Sequence, residues 1–120
     1  MAETSRILIV DDEPQIRELL ALAFENAGYA VRMAGSGRDA IVLCAKEYFD
    51  FVLSDVMMPE MDGHELTQWI ATNRPGTRTA LMSGFDDTSA RTCRPRCHLI
   101  AKPFHPHQVV SFVQQVLAAS

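Results

Sequence analysis

The stretch FVLSDVMMPEMDG, residues 51–63, decides how the rest of the chain is interpreted. It begins as a short apolar run, reaches one carboxylate at Asp55, and then breaks at Pro59 and Gly63. An apolar run of this length that ends at a turn signal is typical of a buried strand of a parallel sheet. Asp55 would then lie at the carboxyl end of that strand, where ligands bind in open parallel sheets. An aspartate that merely closes a strand before a turn is equally compatible with this stretch alone.

The composition is that of one soluble globular domain. The chain has 120 residues, of which 48% are hydrophobic and 22% charged. No apolar stretch approaches the length of a membrane span, and residues 1–6 have no signal-peptide pattern. The net charge of −4 argues against a nucleic-acid-binding surface. Three cysteines without an export signal favour reduced thiols. We therefore expect residues 1–120 to form a single domain in the cytoplasm.

Strands and helices are predicted to alternate along the chain. Besides residues 51–54, apolar runs predict strands at residues 6–10, 29–34, 79–82 and 99–101. Amphipathic spacing predicts helices that begin at Pro14, near Arg38, before Leu66 and near Pro106. The segment 85–97 is short, and Pro95 would interrupt a helix there. This alternation predicts an α/β fold, a doubly wound domain with a five-stranded parallel sheet.

Polar residues follow the ends of four predicted strands. They are Asp11 and Asp12, Asp55, Ser83 and Lys102. In the strand order 2-1-3-4-5, the first and third strands are neighbours where the order reverses, so their three carboxylates crowd together. Such a cluster needs a cation, and an all-oxygen set suits Mg²⁺ or Mn²⁺ better than zinc. A carboxylate beside a metal ion, an ammonium group and a hydroxyl can receive a phosphoryl group.

Taken together, these motifs resemble those of the response regulator receiver domain, over nearly the whole chain. The resemblance is carried by Asp11-Asp12, by residues 55–63, by Ser83-Gly84 and by Lys102-Pro103-Phe104. It implies a flavodoxin-like receiver fold and a role in two-component signal transduction. The implied partners are a sensor histidine kinase or a histidine phosphotransfer protein, and a downstream protein; nucleic acid and membrane are not implied.

The resemblance also implies which residues bind the metal ion. Asp55 is expected to be the phosphoacceptor and a metal ligand. Asp12 is expected to bind Mg²⁺ directly, and Asp11 largely through metal-bound water. The backbone carbonyl of Met57 is expected to be a further ligand. A domain of this kind catalyses its own phosphorylation from a phosphohistidine and its own dephosphorylation.

The remaining residues of the resemblance bear on the phosphoryl group and the conformational switch. Ser83 is expected to bond a phosphoryl oxygen, Lys102 to pair with its charge, and Gly84 to keep the approach open. The bond from Lys102 to Pro103 is expected to be cis. Leu99 departs from the pattern, because receivers commonly carry Tyr or Phe there. Leu99 and the short segment 85–97 are departures at the usual signalling relay. They leave the residues expected to carry out phosphoryl chemistry unchanged.

Other classes of protein remain as alternatives. A docking module of the same fold could bind partners without phosphorylation. A flavin carrier of flavodoxin type needs a phosphate-binding loop after the first strand, where Asp11-Asp12-Glu13 would repel phosphate. A metal-dependent hydrolase would need a second acid two residues after Asp55. A zinc site at Cys93, Cys97 and His98 lacks a fourth ligand.

Overall fold

The fold is a five-stranded parallel sheet between two layers of helices. The structure is a computed structural model that describes residues 4–83, 97–101 and 104–118. For Cys97 and His98 it describes only the backbone. The strands are β1 (Arg6–Val10), β2 (Ala30–Ala34), β3 (Phe51–Asp55), β4 (Arg78–Ser83) and β5 (Cys97–Ala101). The described helices are α1 (Pro14–Asn26), α2 (Gly37–Lys46), α3 (Gly63–Asn73) and α4 (Pro106–Ala118). The strand order is β2-β1-β3-β4-β5, and every pairing is parallel. The predicted doubly wound α/β fold is confirmed.

Both faces of the sheet are buried, which explains the apolar runs at residues 7–10 of β1 and 51–53 of β3. Successive residues of a strand point to opposite faces. Ile7 and Ile9 therefore pack with α1 and α4, while Leu8 and Val10 pack with α2 and α3. These four side chains have no exposed surface. The core thus fixes which face each side chain of β1 occupies, and the parallel pairing with β2 and β3 places Asp11 at the carboxyl edge of the sheet.

The strands begin and end within two residues of the predicted positions. The largest difference is at β5, which begins at Cys97, two residues before the predicted start. The ladder pairs Thr79 of β4 with Cys97 and Ser83 with Ala101, so β4 sets the length of its neighbour. Backbone pairing, unlike an apolar run, does not depend on side-chain hydrophobicity, and His98 therefore continues the strand. The predicted segment between β4 and β5 lies outside the described residues.

The start of α3 lies directly against the end of β3. Asp62 and Glu65 form a capping box: the Asp62 carboxylate accepts from the Glu65 N–H at 2.9 Å, and the Asp62 N–H donates to Glu65 Oε1 at 3.2 Å. At Gly63, an added Cβ would lie 2.4 Å from the carbonyl oxygen of Asp55. A residue without a side chain is therefore needed where α3 approaches Asp55.

We expect Gly63→Ala to lower the free energy of unfolding by about 2–3 kcal/mol, as overpacking of a tight interior does. The added Cβ would also lie 2.7 Å from Leu81 Cδ2 and 3.0 Å from Val56 Cα, and the backbone atoms of Asp55 and Val56 cannot yield without moving the end of β3. Urea denaturation measures the effect. Gly76→Ala is the matched control, because its nearest neighbour would be Tyr48 Oη at 3.6 Å, an ordinary contact. Equal effects of the two substitutions would show that Gly63 is not under steric pressure.

Candidate functional site

The candidate site lies at the carboxyl edge of the sheet, between β1 and β3. These strands are neighbours, and Val10 is paired with Ser54, so Asp11 and Asp55 emerge side by side. Oxygen atoms of Asp11, Asp12 and Asp55 all lie within 4.8 Å of one another. The structure therefore brings together the three carboxylates that the strand order predicts.

The three carboxylates differ in exposure. Asp11 is fully buried and Asp55 is 5% exposed, whereas Asp12 is exposed to solvent. Like charges this close destabilise one another unless a proton or a cation intervenes. The donor set consists of carboxylate oxygens, which hard divalent cations prefer, and Asp12 gives it an open side. The residues present therefore fit Mg²⁺ or Mn²⁺, and the cluster could hold such an ion.

Asp55 is held by the backbone of the loop that follows it. The Met57 N–H donates to Asp55 Oδ1 at 3.3 Å, and the Ser54 hydroxyl donates to the Asp55 carbonyl oxygen at 3.0 Å. The Gly63 N–H donates to the Val56 carbonyl oxygen at 2.9 Å, which closes the loop. Met57 therefore lies beside Asp55, with its side chain 65% exposed. These backbone contacts orient the Asp55 carboxylate at the end of the strand.

Asp11 is held from three sides. Its N–H donates to the Ala34 carbonyl oxygen at 3.2 Å, and its Oδ1 accepts from the Glu13 N–H at 2.9 Å. Arg17 Nη1 donates to the Asp11 carbonyl oxygen at 2.8 Å. Sequence reasoning missed Arg17. The one indication in the sequence is that Arg17, a long basic residue, directly follows Ile16, which lies on the side of α1 that packs on the sheet.

Ser83 completes the part of the site that the structure describes. It is the last residue of β4 and is 4% exposed. Asp55 pairs with Met82, the residue before Ser83. The side chains of Asp55 and Ser83 therefore lie at the same edge of the sheet, at the ends of adjacent strands. The other predicted participants, Lys102, Gly84 and the Lys102-Pro103 bond, lie outside the described residues. So do Cys93 and the side chains of Cys97 and His98, which the zinc alternative requires.

The surroundings of the site bear on two further predictions. Leu99 of β5 has 43% of its surface exposed, at the position where receivers commonly carry an aromatic residue. His105 and His107, near the start of α4, are exposed. Among the described residues, no helix is long and apolar enough to cross a membrane.

The chain is similar in sequence to proteins of one family. The family described as "Response regulator receiver domain" matches residues 7–114. The response regulator receiver protein CpdR of Brucella abortus (strain 2308) is 32% identical over 118 residues, which cover 96% of this chain and 98% of that protein. The regulatory protein AtoC of Escherichia coli (strain K12) is 34% identical over 120 residues, which cover 98% of this chain and 26% of that protein. The chain therefore spans about a quarter of AtoC.

A solved structure shares the fold closely. The CheY-like response regulator receiver domain protein of Methanospirillum hungatei JF-1 superposes with a TM-score of 0.87 at 26% sequence identity. The match covers 98% of this chain and 96% of that one. Sequence and structure comparisons therefore agree on the same kind of domain.

Proposed function

The chain belongs to the response regulator receiver domain family, and from this premise we propose that Asp55 accepts a phosphoryl group from a phosphohistidine. The donor would be a sensor histidine kinase or a histidine phosphotransfer protein. The observation that carries the proposal is the cluster of Asp11, Asp12 and Asp55, whose oxygens lie within 4.8 Å of one another. A buried carboxylate beside a cation site is a nucleophile placed where its charge and that of the phosphoryl group can be neutralised.

The transfer forms one bond and breaks one. An oxygen of Asp55 attacks phosphorus, the phosphorus–nitrogen bond of the donor breaks, and the imidazole leaves with the electron pair. The product is an acyl phosphate on Asp55. The Ser83 hydroxyl would donate a hydrogen bond to a phosphoryl oxygen, and the Lys102 ammonium would pair with the phosphoryl charge.

Mg²⁺ or Mn²⁺ would be held by Asp11, Asp12, Asp55 and the carbonyl oxygen of Met57. When bound, the ion supplies positive charge to the oxygens of the transferring group. The chain itself contributes to the orientation: the Met57 N–H donates to Oδ1 of Asp55 at 3.3 Å, which would limit rotation of the carboxylate. Output would pass to a downstream protein by contact.

Incubation of the protein with acetyl phosphate and Mg²⁺ tests the proposal. We expect the intact mass to rise by one phosphoryl group, and hydroxylamine to remove that group, as it does from an acyl phosphate. EDTA should suppress the reaction, because the three carboxylates then repel the incoming phosphate. A protein that stays unmodified with both acetyl phosphate and a phosphohistidine donor would refute the proposal and favour the phosphorylation-independent docking module.

A further inference from the structure

We propose that Arg17 is the positioning residue of the metal centre, acting through the backbone of Asp11. Its guanidinium would hold the loop between β1 and α1 in the conformation that presents Asp11 and Asp12 to the cation. This role rests on the proposed function, since it presupposes that Mg²⁺ binds to the three aspartates. Arg17 itself would touch neither the ion nor the phosphoryl group.

The contacts of Arg17 join three parts of the chain. Arg17 belongs to α1, and its Nη1 donates to the Asp11 carbonyl oxygen, just past the end of β1, at 2.8 Å. The same nitrogen would lie 3.1 Å from a Cβ added at Gly35, in the turn after β2. The Asp11 N–H is bonded to Ala34, the residue before Gly35. The guanidinium therefore packs where the ends of β1 and β2 meet, and it braces the residue that carries the buried carboxylate.

The residue type matters at this position. The guanidinium is planar and keeps its charge, and its N–H groups point in fixed directions, whereas a lysine ammonium is a compact charge whose three donors rotate together. Gly35 leaves room for this planar group, because a side chain there would press on Nη1. The position of Arg17 is thus set by its hydrogen bond to the Asp11 carbonyl oxygen and by the space that Gly35 leaves beside Nη1.

Two effects of Arg17 on Mg²⁺ binding have opposite signs. Its positive charge repels a divalent cation, so charge alone predicts that removing it tightens binding. Its hydrogen bond fixes the ligand loop, so loss of the bond should weaken binding. We expect the second effect to be larger, because Arg17 is partly exposed and its charge is screened by solvent. Mg²⁺ also demands near-ideal octahedral geometry, which a loosened loop cannot provide.

Titration calorimetry with Mg²⁺ on the full chain, without phosphodonor, tests the role. We expect Arg17→Gln to weaken binding about tenfold, as removal of an outer-shell partner does. Arg17→Lys, which keeps the charge, should lie between this variant and the original chain. Arg38→Gln is the matched control: it removes the same charge from a side chain 77% exposed, which contacts Glu60 of the loop after β3, and it should leave binding unchanged or slightly tighter.

A second variant approaches the same contact from the other side. Gly35→Ala keeps the Arg17 charge and presses on Nη1, so we expect Mg²⁺ binding to weaken several-fold. If Arg17→Gln fails to fold, Gly35→Ala still tests the contact between Arg17 and the loop. Unchanged or tighter binding in both Arg17→Gln and Gly35→Ala would overturn the positioning role. If the original chain does not bind Mg²⁺, or if Asp12→Asn binds equally well, the proposed function fails instead, independently of Arg17.

Discussion

Asp55→Asn should incorporate no phosphoryl group under conditions in which the original chain is modified. The carboxamide has nearly the shape of the carboxylate and lacks its nucleophilic oxygen. Because Asp55 is 5% exposed and lies at the end of β3, a change of shape would disturb the core, and Asn avoids that change. Intact mass after incubation with acetyl phosphate and Mg²⁺ measures the result.

The stability of Asp55→Asn distinguishes lost chemistry from lost structure. Removing one of three crowded carboxylates relieves repulsion, so in metal-free buffer the variant should unfold at an equal or higher urea concentration. Asp39→Asn, an exposed change of the same charge in α2, is the control and should be phosphorylated normally. Modification of Asp55→Asn at the original level would refute the assignment of Asp55 as acceptor.

Asp12→Asn should lose most of the affinity for Mg²⁺. Asp12 is the exposed member of the cluster, so its carboxylate lies on the solvent-open side of the site and contributes a negative charge there. We expect the affinity to fall by more than the roughly 10–100-fold that removal of an outer-shell partner causes. Titration calorimetry measures this directly. Mg²⁺ should also raise the melting temperature of the original chain and leave that of the variant nearly unchanged, because a ligand stabilises only the state that binds it.

The matched control for Asp12 is its neighbour. Glu13→Gln removes the same charge one residue further on, from an exposed side chain outside the cluster. Its backbone N–H, which donates to Asp11 Oδ1, is unaffected by the substitution. Equal loss of Mg²⁺ affinity in Asp12→Asn and Glu13→Gln would mean that the ion responds only to total charge near the sheet edge, and that Asp12 is not a ligand.

Much of the fold follows from runs of apolar residues and from what ends them. A strand that is buried on both faces is largely apolar, which made the strands at residues 6–10 and 51–54 recognisable, and the aspartates after them marked the carboxyl edge. The same rule failed for β5, whose first two residues are set by pairing with β4. Helical spacing also does not give the burial of each side chain: in α4, Val110 is buried, whereas the larger Phe112 and Leu117 are only partly buried.

The site could be predicted as far as strand ends determine it. Asp11, Asp12 and Asp55 meet because parallel strands end at one edge, and the family match supports the receiver identification over the flavodoxin and hydrolase alternatives. Arg17 could not be predicted in the same way. Its contact depends on the side-chain conformation of α1 and on Gly35, which lies 18 residues further along the chain. The helical spacing of apolar residues predicts neither the conformation of the Arg17 side chain nor its contact with Gly35.

The most direct test of the phosphoacceptor assignment is the set of backbone amide NMR shifts with Mg²⁺, before and after addition of beryllofluoride, a mimic of the phosphoryl group. If Asp55 is the acceptor, beryllofluoride should shift the amides of Asp12, Val56, Met57 and Ser83 only when Mg²⁺ is present, and should leave Asp55→Asn unchanged. Spectra of the original chain that do not respond to beryllofluoride with Mg²⁺ present would contradict the assignment.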